Sequence, residues 1–240
     1  MSFRYFLAIF AIFVIFSSCG KKEDIINVQY KEEKTINGTF KAKFDISLEN
    51  VARPQKAAKL LEKLIYQGKS IDEYALFAQD NFINSIKSED YLPIIGHDGK
   101  ERFNQSYFNE VYKILFHDDF YVIVEYNKYY TFSYAAHGNI STQYFIIDIA
   151  QGKILDIDDI AVPLPDDFIA GIIRTNYNVK NDFIRENIWP PDSINIKQDR
   201  VELVWNVYTI TPYAYGIIGI PLQDDSFLTQ KGKAIKAKIR

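Results

Sequence analysis

Phe120-Tyr121-Val122-Ile123-Val124-Glu125-Tyr126-Asn127-Lys128-Tyr129-Tyr130-Thr131-Phe132 lies within a stretch, residues 106–134, that is dense in Tyr, Phe, Val and Ile. It shows no helical stripe and few breakers. β-Branched and aromatic side chains suit a pleated, half-buried surface, so the stretch reads as two or three sheet strands. Upstream, residues 39–48 alternate strictly, with Phe40, Ala42, Phe44, Ile46 and Leu48 on one side and Thr39, Lys41, Lys43, Asp45 and Ser47 on the other. That period of two predicts a half-buried strand. Pro54 suits a helix start, and Ala57, Leu60, Leu61, Leu64 and Ile65 recur at helical spacing until Gly68. Ser70-Ile71-Asp72-Glu73 is a capping box that opens a second helix through Tyr74, Ala78, Phe82 and Ile86.

Downstream, residues 142–149 read as a strand, and Gln151-Gly152 as a hairpin tip leading into Lys153-Ile154-Leu155. A helix is expected over 166–178, with Asp166 and Asp167 where the helix dipole favours negative charge. Further strands are expected at 193–197, 201–208 and 215–222. The basic tail 231–240 contains no acid and reads as a solvated last strand or a frayed end. The fold class is α+β, a mostly antiparallel sheet with two to three packed helices. Residues 37–105 form a strand-helix-helix subdomain in this reading, and 106–240 a C-terminal α+β domain.

Composition narrows the function classes without naming one. The 240 residues carry 28 Lys+Arg against 31 Asp+Glu, and the pI is about 5.7. No basic footprint for a phosphate backbone is present, so nucleic acid is not an expected partner. A single cysteine excludes an intramolecular disulfide and a cysteine-only metal cage.

That cysteine lies at the end of a leader. Arg4 is the only charge before Cys19, and Tyr5–Phe16 is an apolar run of 12 residues. A membrane-spanning helix takes roughly 20 residues, whereas this length fits the h-region of a signal peptide. Residues 1–18 are therefore expected to be removed. Ser17-Ser18-Cys19-Gly20 after the apolar run resembles the lipobox of bacterial lipoproteins, with Phe16 where Leu is commoner. The resemblance implies that Cys19 is lipidated, with palmitate-type acyl chains, and anchors the protein on the cell envelope. Gly20-Lys21-Lys22-Glu23-Asp24 resembles the surface-export signal of Bacteroidetes lipoproteins, which implies outward display on the outer membrane. Residues 19–36 are then the lipidated Cys and a polar tether. Without the leader the chain keeps 27 Lys+Arg against 31 Asp+Glu, a charge of −4.

Catalytic motifs are scarce. His97, His117 and His137 have no partner at metal-ligand spacing. Asp156-Ile157-Asp158-Asp159 lacks the Gly and terminal Glu of a calcium loop and reads as a solvated turn. No Gly-x-Ser-x-Gly elbow and no glycine-rich phosphate loop occurs. A carboxylate pair brought together by the fold stays open. No cofactor and no metal are expected, and an enzyme is not the favoured reading.

Two segments stand out as binding candidates. Tyr134-Ala135-Ala136-His137-Gly138-Asn139 follows an aromatic strand and places an imidazole on a turn. His137 is either a strand-end residue bonded to a carbonyl or the lip of a groove. In the run Trp205 to Gly216, Trp205 and Tyr208 read as core, while Tyr213 and Tyr215 are open to a core or a stacking role.

Ser133 to Asn139, then Asp148-Ile149-Ala150-Gln151-Gly152-Lys153-Ile154-Leu155, then Tyr208 to Leu222 resemble, in order and spacing, a bacterial extracytoplasmic domain of unknown function, number 3298. It is similar to the C-terminal domain of RsiV-type anti-sigma factors and of PdaC-type peptidoglycan deacetylases. Its pattern is a Tyr-x-Gly-Gly-Ala-His-like turn, a strand ending Asp-x-x-x-Gly-Lys, and an Asn-x-Tyr-x-Ile-x-Pro-Tyr-Ala-x-Gly run. Ala135 replaces the first Gly of the turn, and Thr211 stands where Ala is commoner. The likeness covers about residues 110–228. It implies a binding ectodomain, with Tyr134, His137, Gly138, Tyr213 and Tyr215 as binding residues and a lysozyme-like protein or a cell-wall glycan as ligand. Neither sigma-factor control nor deacetylase catalysis is expected to carry over. The alternatives are an envelope polysaccharide hydrolase or deacetylase, or a structural component of an envelope complex.

Overall fold

A computed structural model describes residues 24–36, 40–86, 94–95, 98–99, 101–102, 105–132, 137–179, 188–222 and 224–239. Cys19, His97 and Tyr134, together with the leader, lie outside the described residues.

The alternating segment is a strand of the central sheet, Phe40–Val51. Along it Ala42, Phe44, Ile46 and Leu48 are sealed from solvent. Two helices follow, α1 (Gln55–Leu64), with Pro54 just ahead of its first turn, and α2 (Ile71–Ser85). The capping box closes as expected. Ser70 accepts from the Glu73 backbone N–H, and the Glu73 carboxylate accepts from the Ser70 N–H at 2.9 Å. Ala57 and Leu61 from α1 and Tyr74, Ala78 and Phe82 from α2 fill one face of the sheet.

Numbering the strands in chain order gives β1 (Ile25–Ile36), β2 (Phe40–Val51), β3 (Ile94–Ile95), β4 (Glu101–Arg102), β5 (Ser106–His117), β6 (Tyr121–Thr131), β7 (Asn139–Asp148) and β8 (Lys153–Ile154). Six of them form one sheet in the order β1-β2-β5-β6-β7-β8, with β3 and β4 paired separately. Every neighbouring pair in the six-stranded sheet is antiparallel except β2 with β5. The parallel pairing is possible because α1 and α2 carry the chain back across the sheet.

Two expectations are corrected here. Residues 25–36 are not tether: they pair with β2 along their whole length, from Ile25 opposite Val51 to Ile36 opposite Phe40. Their alternation is hidden in the sequence because Glu32 and Lys34, which pair at 3.7 Å, share the half-buried side with Val28, Tyr30 and Ile36. The expected boundary at 105/106 does not separate two cores either. β2 pairs with β5, and residues from both sides of that boundary share the first core.

The opposite sheet face carries a second layer. It contains α3 (Ile157–Ile160), α4 (Asp166–Tyr177), the antiparallel sheet β11-β10-β9 (Ile218–Leu222, Val201–Trp205, Ser193–Ile196) and α5 (Gln230–Lys238). Ile123 and Ile146 reach into this layer against Trp205, Ile173 and Ile210, while their neighbours Val122, Val124 and Ile147 join the first core. Burial on both faces explains the continuous apolar run at 122–124.

Asp156–Asp159 is a capped helical turn rather than a bare solvated loop, its Asp159 bonded to Lys153 at 2.8 Å. The basic tail is helix α5, docked rather than frayed. Thr229 caps it and donates to the Asp159 and Ile160 carbonyls, and a Cβ on Gly232 would collide with the Ile160 carbonyl. Its lysines find acids: Lys231 with Asp148 at 3.5 Å, Lys236 with Asp225 at 2.6 Å and Lys238 with Asp118 at 3.3 Å.

Candidate functional site

A cluster of three rings forms where the chain enters β7 and where it leaves β10. The His137 imidazole stacks on the Tyr213 ring with centroids 3.9 Å apart and planes 19° from parallel. Tyr208 lies 5.5 Å from Tyr213 and 6.4 Å from His137. Polar bonds fix the arrangement. Tyr213 OH donates to the Gly138 carbonyl at 2.7 Å, His137 Nδ1 lies 3.0 Å from the same oxygen, and Tyr208 OH lies 3.2 Å from His137 Nε2. An imidazole with its proton on Nδ1 satisfies both of the histidine's contacts, donating to the carbonyl and accepting from Tyr208.

Backbone features hold the rings in place. Gly138 is buried, and a Cβ there would run into the outer end of the Tyr129 ring, so a larger residue requires that ring to move. Pro212 leads into a 3-10 turn at Tyr213–Tyr215 that swings Tyr213 over His137. Tyr208 occupies the left-handed region with φ 66°, which projects its ring outward. Behind it, Asp192 accepts from the Asn206 N–H at 2.7 Å and from the Thr209 hydroxyl at 3.0 Å. The Asn206 side-chain oxygen accepts from the Thr142 N–H at 2.7 Å, pinning this turn to β7.

The structure thus brings together His137, Gly138 and Tyr213. His137 meets a carbonyl at the start of the strand and is exposed. Tyr215 does not join the rings and packs against the second core. Tyr134 lies outside the described residues. Tyr208 is a correction: expected in the core, it is 46% exposed and part of the cluster, whereas Trp205 is fully buried as expected and donates to the Trp189 carbonyl at 2.8 Å. Tyr208, Asn206 and Tyr129 were missed as site residues. The signal was the Asn-x-Tyr-x-Ile-x-Pro-Tyr run itself, in which Asn206 and Tyr208 occupy fixed places.

Chemically the cluster offers ring faces and hydroxyls. Among the described residues His137 is bonded by the Gly138 carbonyl and the Tyr208 hydroxyl and by no carboxylate. No three His, Cys, Asp or Glu side chains converge among those residues either. A cavity of about 390 Å³ lies elsewhere, between α3, the start of α4 and the exposed Trp189, and contains none of the expected site residues. The buried carboxyl Glu110 belongs to the first core. Tyr126 and Tyr74 donate to it at 2.9 and 3.3 Å, and burial pushes its pKa above the usual carboxylate range.

No protein-family model matches the chain, and no curated protein matches it. Solved structures do. A crystal structure of a DUF3298 family member from Bacteroides fragilis superposes with a TM-score of 0.60 at 15% identity, covering 90% of this chain and 98% of that one. The chain has the DUF3298 fold. A second DUF3298 family protein, from Pseudomonas aeruginosa, matches with a TM-score of 0.56 at 15% identity over 86% of this chain and 94% of that one. At these identities the likeness concerns the fold, and within the DUF3298 fold the ring cluster lies at the junction of the central sheet and the second layer.

Proposed function

We propose that this protein is a lipid-anchored binding module of the bacterial cell envelope, held by Cys19 on the outer membrane, and that it recognises a lysozyme-like protein or a cell-wall glycan without catalysis. The observation that supports this most is the ring cluster. Three aromatic side chains, two of them exposed, are fixed by their own hydrogen bonds before any ligand arrives, which reduces the ordering entropy that binding must overcome. Among the described residues the cluster's hydrogen bonds run between ring hydroxyls, the imidazole and a backbone carbonyl, an arrangement suited to recognition. The acidic chain, at −4 without its leader, attracts a basic protein weakly.

The test uses residues 19–240 in detergent with two baits, immobilised lysozyme at low salt and pelleted peptidoglycan sacculi. Retention by either bait at micromolar protein is expected, with unchanged muropeptide composition of the sacculi afterwards. Failure on both baits would overturn the reading, and trimmed muropeptides would replace it with an enzyme.

A further inference from the structure

The second layer covers the sheet face opposite α1 and α2 at the end that holds Ile123 and Ile146, and its turn after β10 reaches along β7 to Thr142 and Gly138. Strand register describes what continues from there. Asn127 lies opposite Val111 and Thr142, and Tyr129 lies opposite Asn109 and Ile140. Asn109 in turn neighbours Asp45, and Asp45 neighbours Lys31. Period-two alternation puts all of these on one face with Ile123. From β1 to β7 the face spans four interstrand steps, about 19 Å. At one end it meets the ring cluster, because Tyr129 lies directly beneath Gly138. Tyr107 stands 5.9 Å from Tyr129, tilted by 49°, beside a shallow depression of about 310 Å³ lined by Lys31, Lys43 and Asp45.

The chemistry of this face is selective. Its charges lie beside opposite charges: Lys31 pairs with Asp45 at 3.2 Å, Glu33 pairs with Lys41 at 2.8 Å and Lys43 at 3.7 Å, and Lys113 stands opposite Glu125 in register. Paired charges leave no field for a polyanion. Val111 and Ile140 are the aliphatics of these rows, too few for the desolvated apolar centre of a protein interface. What remains are ring faces, side-chain amides and hydroxyls. The Asn127 carbonyl oxygen accepts from Thr142 at 2.7 Å, and among the described residues its two amide donors meet no partner. Asn109 donates to the Asp45 carbonyl at 3.0 Å and keeps its own carbonyl oxygen as an acceptor.

We infer that this open sheet face, running from Lys31–Asp45 across Asn109 and Asn127 to the His137–Tyr213 stack, binds a linear, uncharged glycan chain. A pyranose ring offers an apolar C–H face, which stacks on Tyr107, Tyr129 or the ring cluster, and a rim of hydroxyls that both donate and accept. The amides of Asn109 and Asn127 meet that rim. The inference rests on the envelope-binding reading and names the ligand class within it.

Isothermal titration calorimetry with the lipidated chain in detergent and three probes, chitohexaose, cellohexaose and maltohexaose, tests it. At least one hexasaccharide is expected to bind. Tyr107→Ala and Asn127→Asp should each weaken that binding about tenfold while leaving the melting temperature near wild type. Asn127→Asp keeps the acceptor for Thr142, removes the amide donors and adds a negative charge, so a loss of binding at unchanged melting temperature reports ligand contact rather than misfolding. If none of the hexasaccharides binds but lysozyme is retained, the glycan inference falls and the envelope-binding reading stands. If a hexasaccharide binds and only ring-cluster variants weaken it, the sheet face is not the site. Absence of binding to sugars, sacculi and lysozyme alike overturns both.

Discussion

The His137 imidazole and the Tyr213 phenol share one acceptor, the Gly138 carbonyl, which lies 3.0 Å from His137 Nδ1 and 2.7 Å from the Tyr213 hydroxyl. The shared oxygen explains why the two rings lie nearly parallel. Each is tethered at one polar edge to the same atom, and the apolar faces close over each other. A strand start and a distant 3-10 turn are thereby joined through a glycine carbonyl, and the geometry depends on that glycine.

Gly138→Ala therefore disturbs more than one residue. The new Cβ meets the Tyr129 ring, and overpacking of this kind costs about 2 kcal/mol. For a chain of this size that corresponds to a fall in melting temperature of roughly 4–8 °C. In a Tyr129→Ala background the same change should add almost nothing, because the obstructing ring is gone. Differential scanning calorimetry of the four proteins checks both statements.

Tyr208 combines a place in the ring cluster with backbone strain. Its φ of 66° is uncomfortable for tyrosine, whereas asparagine adopts that region readily. Tyr208→Asn is expected to raise unfolding free energy by about 1 kcal/mol in urea titrations. It should weaken ligand binding, since the ring and its hydroxyl contact with His137 are lost. Lower stability in this variant would mean that the ring contacts of Tyr208 outweigh its backbone strain.

Glu110 makes stability depend on pH. Burial raises its folded pKa above the unfolded value of about 4.3. Its stabilising contribution is complete below that unfolded value and is lost as pH rises through the folded one, because the folded state then holds the proton more tightly than the unfolded state. Glu110→Gln keeps an acceptor for the Tyr126 and Tyr74 hydroxyls and cannot ionise. The variant should gain on wild type in urea midpoint between pH 4 and pH 8. A constant difference across that range would show that Glu110 does not titrate there.

The proposed lipid anchor at Cys19 makes a prediction about location. Each buried methylene of an acyl chain contributes about 0.8 kcal/mol, so several chains hold a protein on a membrane almost permanently. Cys19→Ser should move the protein from the membrane fraction to the soluble fraction, followed by immunoblotting after fractionation. An unchanged distribution would refute the lipid anchor.

Much of the fold is legible locally. The alternation that seals Ala42, Phe44, Ile46 and Leu48, the apolar spacing of α1 and the Ser70–Glu73 capping box are all short-range patterns, and each formed the element it predicts. β1 and α5 depart from the expectation of a tether and a solvated tail for one common reason. Both are rich in charge, and their charges are satisfied by residues distant in the chain, Asp45 for Lys31, and Asp118 and Asp148 for Lys238 and Lys231. A solvated tether and a docked element look alike until those partners are in view.

The site divides in the same way. By itself the sequence determined that His137-Gly138 lies at a turn, that Tyr213 follows a proline-led corner, and that a strand-rich α+β domain surrounds them, because these follow from backbone preferences over a few residues. Only the tertiary structure decided that Tyr208 leaves the core while Tyr215 stays against it, that Gly138 is pressed on Tyr129, and that His137 and Tyr213 share an acceptor. Those outcomes depend on β6, β7 and the turn after β10 meeting at one point. Residue periodicity carries no information about such a meeting, since it is set by how two sheet layers pack on each other.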